Sequence, residues 1–380
     1  MRPAIKAGLL MVWRDPDTLQ IGIDPRRAVA LRGMRGTEAL INLLDGSRDL
    51  GQVLAAARDQ GIGRPAAERV IGLLAASGAL QDFPAATLRA LPDGPRARLA
   101  GELATVSLAH GHADGGALVL ARRQAARVRV HGTGPVAASL ASLLSASGVG
   151  RVSCTGAAAG WPGGEPSAAG SPRAGSSSAA SSGDGSSGAR SPGDGPRLAS
   201  WPPSGRVRLG HPDGDAPPRA RTRGSGPTPR RPDLAVLADG YPPELPGTLV
   251  AGAVAHLTAA ASEAIGVVGP LVIPGQTACL SCVDLARSDR DPAWPLILAQ
   301  ASGRASQPAA CAAVLAAAVA AQATAQALAY LDQAAPGAVV INGTLELVLP
   351  DWQWRRRSWT PHRHCRCSRR RHPDREWESE

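Results

Sequence analysis

Apolar and polar positions divide this chain into stretches with different periods. Between Gly8 and Asp82, runs at Leu9–Trp13, Leu19–Ile23 and Ala28–Leu31 read as short strands, the first two joined by the turn Asp15-Pro16-Asp17. Thr37 is placed to cap a helix over Glu38–Leu44, and Ser47 or Asp49 a helix running to Arg58. Pro65 opens a third helix carrying Val70, Ile71, Leu73 and Leu74. Gly78 ends it, and Ala79-Leu80 returns as a strand. Strands, three short helices and a closing strand predict a winged-helix-like module over residues 1–90. Its third helix has little besides Arg69 to meet bases or phosphates, which favours capture of an extended peptide at a sheet edge over DNA binding.

Residues 91–125 read as a linker. A second domain then opens with a strand over Arg127–His131, the turn Gly132-Thr133-Gly134, a helix over Pro135–Ser147, Gly148 after it, and a strand over Arg151–Cys154. Strand, glycine turn, helix and strand predict a doubly wound, Rossmann-like α/β fold over residues 126–368. Residues 156–230 are rich in Ser, Gly, Pro, Ala and Arg, bury little, and read as a disordered insertion. Order resumes with a buried strand from Asp233 to Ala238 that ends at Asp239-Gly240. Further strands are expected over His256–Ala260, Ile265–Ile273, Ala338–Ile341 and Thr344–Leu349. The uncharged stretch Ala309–Leu331 is long enough to cross a bilayer. Its alanines and its internal Gln322, Thr324 and Gln326 favour a helix buried on a sheet.

Composition changes this picture in one respect. Lys6 is the only lysine and Phe83 the only phenylalanine, so the net charge of +10 reflects arginine usage more than a nucleic-acid partner. Much of the excess follows Trp354, at Arg355, Arg356, Arg357, Arg369, Arg370 and Arg371, and reads as a solvated end, with 369–380 a basic disordered tail. Met1–Trp13 lacks the pattern of a signal peptide, and a cytoplasmic, reducing location with no membrane partner is expected.

Two cysteine pairs, Cys279-Leu-Ser-Cys282 and Cys365-Arg-Cys367, have the spacing to wrap one tetrahedral Zn²⁺ as a structural clip. His362 and His364 stand nearby as substitute ligands, whereas Cys154 and Cys311 read as small packing residues. Gly132 and Gly134 let backbone approach a phosphate at a helix N-terminus, and Ala137 permits close helix packing. The acid that holds ribose hydroxyls is missing after the second strand, which ends Ser153-Cys154-Thr155. A dinucleotide oxidoreductase is therefore disfavoured. Asp239 is either a Mg²⁺ ligand beside ATP or an ordinary turn residue.

The stretch GPLVIPGQTACLSCVDLARSDRDPAWP, from Gly269 to Pro295, closely resembles the cysteine-pair region of actinobacterial ThiF-like proteins. So do Gly343-Thr-Leu-Glu-Leu, Asp351-Trp-Gln-Trp and His364-Cys-Arg-Cys. The resemblance is to the ThiF/MoeB, ubiquitin-activating-type superfamily, in the branch associated with cyclodehydratases of thiazole/oxazole-modified, bacteriocin-type peptides. It implies zinc on Cys279, Cys282, Cys365 and Cys367, and a peptide-binding winged-helix domain at the N-terminus. It also implies a homodimer. The family's Asp, Asn/Arg/Gln segment and Lys that grip ATP have no counterparts here, since the insertion occupies their place. The expected function is therefore capture of a precursor leader peptide for an ATP-dependent, YcaO-type cyclodehydratase, with nucleic acid disfavoured as a partner. The alternative is a live adenylyltransferase using ATP and Mg²⁺ on a peptide C-terminus, with Gly132, Gly134 and Asp239 as its cofactor residues.

Overall fold

Short alternating runs fold first into an N-terminal unit, seen in a computed structural model that describes residues 1–82, 93–111, 113–155, 208–209, 231–303, 311–333 and 337–369. This unit comprises β1 (Pro3–Ile5), β2 (Met11–Asp15), β3 (Thr18–Ile21), β4 (Val29–Arg32), α1 (Glu38–Leu43), α2 (Leu50–Asp59), α3 (Arg64–Ala76) and β5 (Leu80–Asp82). β2, β3 and β4 form an antiparallel sheet in that order, and β1 pairs with β5. Period-two alternation points Leu19 and Ile21 of β3 inward, where Leu31, Met34, Leu40, Val53 and Leu74 join them. Asp49 caps α2 in a reciprocal capping box with Gln52. Thr37 precedes α1 but does not cap it, because its hydroxyl donates to the Met34 carbonyl at 2.8 Å.

The expected linker contains two helices, α4 (Asp93–His110) and α5 (Ala117–Ala125). Gly94, Pro95 and Gly101 break up the apolar periodicity of α4, which hides it from a pattern reading. The α5 end is fastened by a buried fork. Arg123 donates to both carboxylate oxygens of Asp332 at 2.8 and 2.7 Å, to Glu102 at 3.0 Å and to the Ser147 carbonyl at 3.1 Å.

The second domain follows as β6 (Arg127–His131), α6 (Gly134–Ala146), β7 (Arg151–Thr155), the two-residue β8 (Arg208–Leu209), β9 (Leu234–Ala238), α7 (Leu245–Ala251), β10 (His256–Ser262), β11 (Ile265–Val272), α8 (Leu280–Ser288), α9 (Trp294–Gly303), α10 (Ala313–Asp332), β12 (Gly343–Val348), β13 (Gln353–Ser358) and α11 (Arg366–Arg369). Its sheet has the strand order β13-β12-β11-β10-β9-β6-β7-β8. β10, β9, β6, β7 and β8 are parallel, and β11, β12 and β13 add antiparallel hairpins. The chain leaves β6 toward β7 and returns on its other side at β9, which makes the β6/β9 boundary the topological switch point.

α10 is long and apolar enough to cross a membrane by length and composition. Here Leu315, Ala316, Val319, Ala320, Ala323 and Ala327 bury one side of it against the sheet and α6. Small residues bring helix and sheet close: a Cβ on Gly266 of β11 would lie 2.5 Å from Val319. Two expectations need correction. Ala338–Ile341 is not a strand, since it makes one isolated bridge from Ile341 to Leu271 before the chain turns. Arg355, Arg356 and Arg357 belong to edge strand β13 rather than to a loose end, because β12 offers them a full antiparallel register. Apart from β8, the insertion at 156–230 lies outside the described residues, as does the tail at 370–380.

Candidate functional site

The cysteines meet. Cys279 sits at the N-cap of α8 and Cys282 in its first turn, while Cys365 and Cys367 flank the start of the short α11. Separations are 3.7 Å for Cys279–Cys282, 3.6 Å for Cys279–Cys365 and 3.3 Å for Cys282–Cys367, and all four sulfurs lie within 4.8 Å of one another. Zn–S bonds in a tetrahedron place sulfurs about 3.8 Å apart, so the arrangement fits a zinc ion and is far too long for disulfides. All four are buried beside Val272, Ala278, Val283 and Trp359. Proton sharing makes them unequal: hydrogen bonds from Cys279 and Cys367 pull the Cys282 thiol well down, and the bond to Cys282 pushes Cys279 up to about 12. Only a cation would ionise all four together.

Polar contacts hold this clip in place. Asn342 accepts from the Ala278 amide at 2.8 Å, and its own carbonyl accepts from Trp359 N at 2.9 Å. The Trp359 indole donates to Thr344 at 3.1 Å. His362 pairs with Asp289 at 2.8 Å and His364 is exposed; neither belongs to the sulfur cluster.

Gly132, Gly134 and Asp239 meet at the switch point. Gly132 has φ +133°, and a Cβ there would stand 2.6 Å from the Ala238 carbonyl and 2.7 Å from that of Asp239. Thr133 N donates to the Asp239 carbonyl at 2.8 Å. Glycine is therefore required at 132 by the neighbouring strand, whatever binds there. Gly134, at φ +86°, has open space where its Cβ would point, at the first turn of α6. Burial raises the Asp239 carboxyl to about 6, against one hydrogen bond from Ala261 N at 3.2 Å.

Two groups here were not marked by the sequence reading as part of this crevice. His131 ends β6 bonded to Thr155 at 2.7 Å, and burial with nearby Arg129 lowers it to about 4, so it is neutral. Cys311 lies just before α10 rather than inside it, with its thiol pushed up by burial and by Asp239. Strand-end position could have flagged His131; nothing local flags Cys311. Lys6 is nowhere near: it is 1% exposed in the N-terminal unit and donates to the Ser107 carbonyl at 2.8 Å.

A third feature is the free edge of β4, with α3 packed beside it. α3 turns Val70, Ile71 and Leu74 inward and exposes Arg69, Gly72 and Leu73.

No family model matches the chain and no curated protein does. Solved structures share its fold. E. coli MccB with AMPCPP and selenomethionine MccA superposes at a TM-score of 0.57 and 11% identity, over 97% of this chain and 99% of that one. E. coli MccB with ATP gives 0.54 at 11% identity, over 97% and 100%. The heterocyclase TruD gives 0.56 at 13% identity, over 97% of this chain but 42% of TruD. At such identities the likeness is one of architecture: this chain has the mixed α/β fold of MccB and of the matching part of TruD.

Proposed function

We propose that this protein binds the leader of a ribosomal precursor peptide through its N-terminal unit and presents it to a separate ATP-dependent cyclodehydratase of the YcaO type. The observation that carries this reading is the open β4 edge beside α3. Among the described residues β4 pairs with no strand on its outer side, so it can add one extended strand, and the neighbouring α3 keeps Gly72 and Leu73 exposed. In this reading residues 1–90 are a winged-helix-like module and 126–368 a ThiF-like domain. Cys279, Cys282, Cys365 and Cys367 hold one structural Zn²⁺ in a reducing cytoplasm. The match to only 42% of TruD supports a division of labour in which a partner supplies the remaining chemistry. A heterocyclase solved with substrate and cofactor, at TM-score 0.54 and 14% identity, adds support. The test is a direct titration of zinc-loaded protein with the leader of the precursor encoded beside its gene. Micromolar binding is expected, and no binding by folded protein overturns the reading.

A second reading, an adenylyltransferase acting on a peptide C-terminus, is favoured by one observation: Gly132, Gly134 and Asp239 converge at the switch point. There Asp239 would hold Mg²⁺ and the α6 N-terminus a phosphate of ATP. The only lysine is buried elsewhere, which leaves the site without that cation. Titration with Mg·ATP separates the two readings. Binding that Asp239→Ala abolishes, with pyrophosphate exchange into ATP, selects the enzyme; silence in both selects the scaffold.

A further inference from the structure

Strand β9 is buried on both faces, as interior parallel strands ordinarily are. Its neighbour β6 is not. Val128 and Val130 enter the main core, while Arg127, Arg129 and His131 take the opposite face and remain partly exposed. β7 repeats the pattern, with Val152 and Cys154 on the core side. The parallel register sets Arg127 beside Arg151, Arg129 beside Ser153 and His131 beside Thr155. One face of two adjacent strands thus carries three arginines and two hydroxyls. The apolar cover supplied by Leu245 and Leu249 of α7 lies over Ala235 and Leu237 of β9 instead.

This charge meets little compensation among the described residues. Among the described residues, no side-chain hydrogen bond or ion pair engages Arg127, Arg129 or Arg151. Asp233, which lies at this end, accepts the Arg127 backbone N–H at 2.8 Å. His131 is neutral and tied to Thr155. Same-face residues lie about 7 Å apart along a strand and about 4.8 Å apart across the pair, so the arginines form a short row with one flanking member.

We infer that this face binds an acidic peptide segment in extended form, with carboxylates at alternate positions. An extended chain repeats its same-side residues about every 7 Å, which matches the step from Arg127 to Arg129 and leaves Arg151 for a neighbouring acid. A single-stranded nucleic acid is the poorer fit, since neither strand carries a Phe, Tyr or Trp, and the one ring on this face, His131, is tied to Thr155. One small anion is also a poorer fit, because the arginines are spread along and across two strands rather than gathered at a point. The inference is independent of peptide capture by the N-terminal unit.

The test is fluorescence anisotropy of the full chain with fluorescein-labelled hexaglutamate. Arg129→Gln and Arg151→Gln should each weaken binding about fivefold, the double variant further, with a steep loss on adding salt. Arg355→Gln, on β13, should leave it unchanged. Thermal melting of each variant checks that the fold persists, as expected for side chains facing away from the core. Absence of binding by folded wild-type protein overturns the inference, as does equal affinity in both β-strand variants. Tighter binding of a single-stranded oligonucleotide, lost in the same two variants, also overturns it by making the face a phosphate reader.

Discussion

The cysteine clip and the switch-point crevice are both assembled from segments far apart in sequence, yet their residues answer to different causes. At the crevice, packing alone accounts for Gly132: a side chain there would strike the carbonyls of Ala238 and Asp239. Asp239 is half-hidden and easily protonated, and no lysine stands by. At the clip, packing accounts for very little. Four buried sulfurs in mutual contact gain little as thiols, and their spacing matches a metal's coordination sphere. Architecture alone thus explains the glycine turn, whereas packing alone does not explain the thiol cluster.

The comparison breaks most sharply at Cys282. Cys282→Ser should abolish zinc retention and cost on the order of 5 kcal/mol or more, because metal binding and folding are coupled. Denaturant titration with metal analysis measures both, and an unchanged midpoint with no metal in either protein would refute the clip. Next in size is Arg123→Ala, which strands Asp332 at 2% exposure below the ends of the helices that wall the crevice. It should cost about 3–5 kcal/mol while zinc stays at one equivalent. Loss of both together would mean that the two regions are not separable.

Asp239 sharpens the contrast at smaller scale. Its folded-state pKa is raised from 3.8 to about 6, so folding favours the protonated form. That contribution is complete below about pH 4 and is lost as pH rises through about 6. Asp239→Asn should flatten this slope and stabilise the protein at pH 7.5 by up to about 3 kcal/mol. A destabilised Asn variant would point to a structural role for the carboxylate. Smallest is Asp49→Ala, which removes the α2 capping box for about 1 kcal/mol and should leave clip and crevice untouched. Circular dichroism melts would register a larger loss if the N-terminal unit supports the second domain.

What could be read in advance depended on how local the cause was. β6, α6 and β9 announce themselves through apolar runs bounded by Gly132-Thr133-Gly134 and Asp239-Gly240. The cysteine cluster was legible because short Cys spacings have few other uses. α4 was hidden by its glycines and proline, and its place is fixed by tertiary contacts such as Lys6 to Ser107. β13 was hidden because Arg355–Arg357 read as solvated charge. Only the pairing partner Gly343–Val348 turns that run into a strand, which its arginines then protect as an edge. Arg123 could not have been singled out among so many arginines, since its partner Asp332 lies 209 residues away.

Lys6 has a practical consequence. It is the sole lysine of the chain, and its amine is enclosed at 1% exposure, with desolvation also lowering its pKa. Lys6 is therefore the one side-chain amine of the sequence, and it is closed to reagent while the N-terminal unit is folded. Succinimidyl dyes and biotin esters should reach a lysine side chain only once that unit unfolds. Amine-to-amine crosslinkers should likewise fail to join two folded copies through side chains.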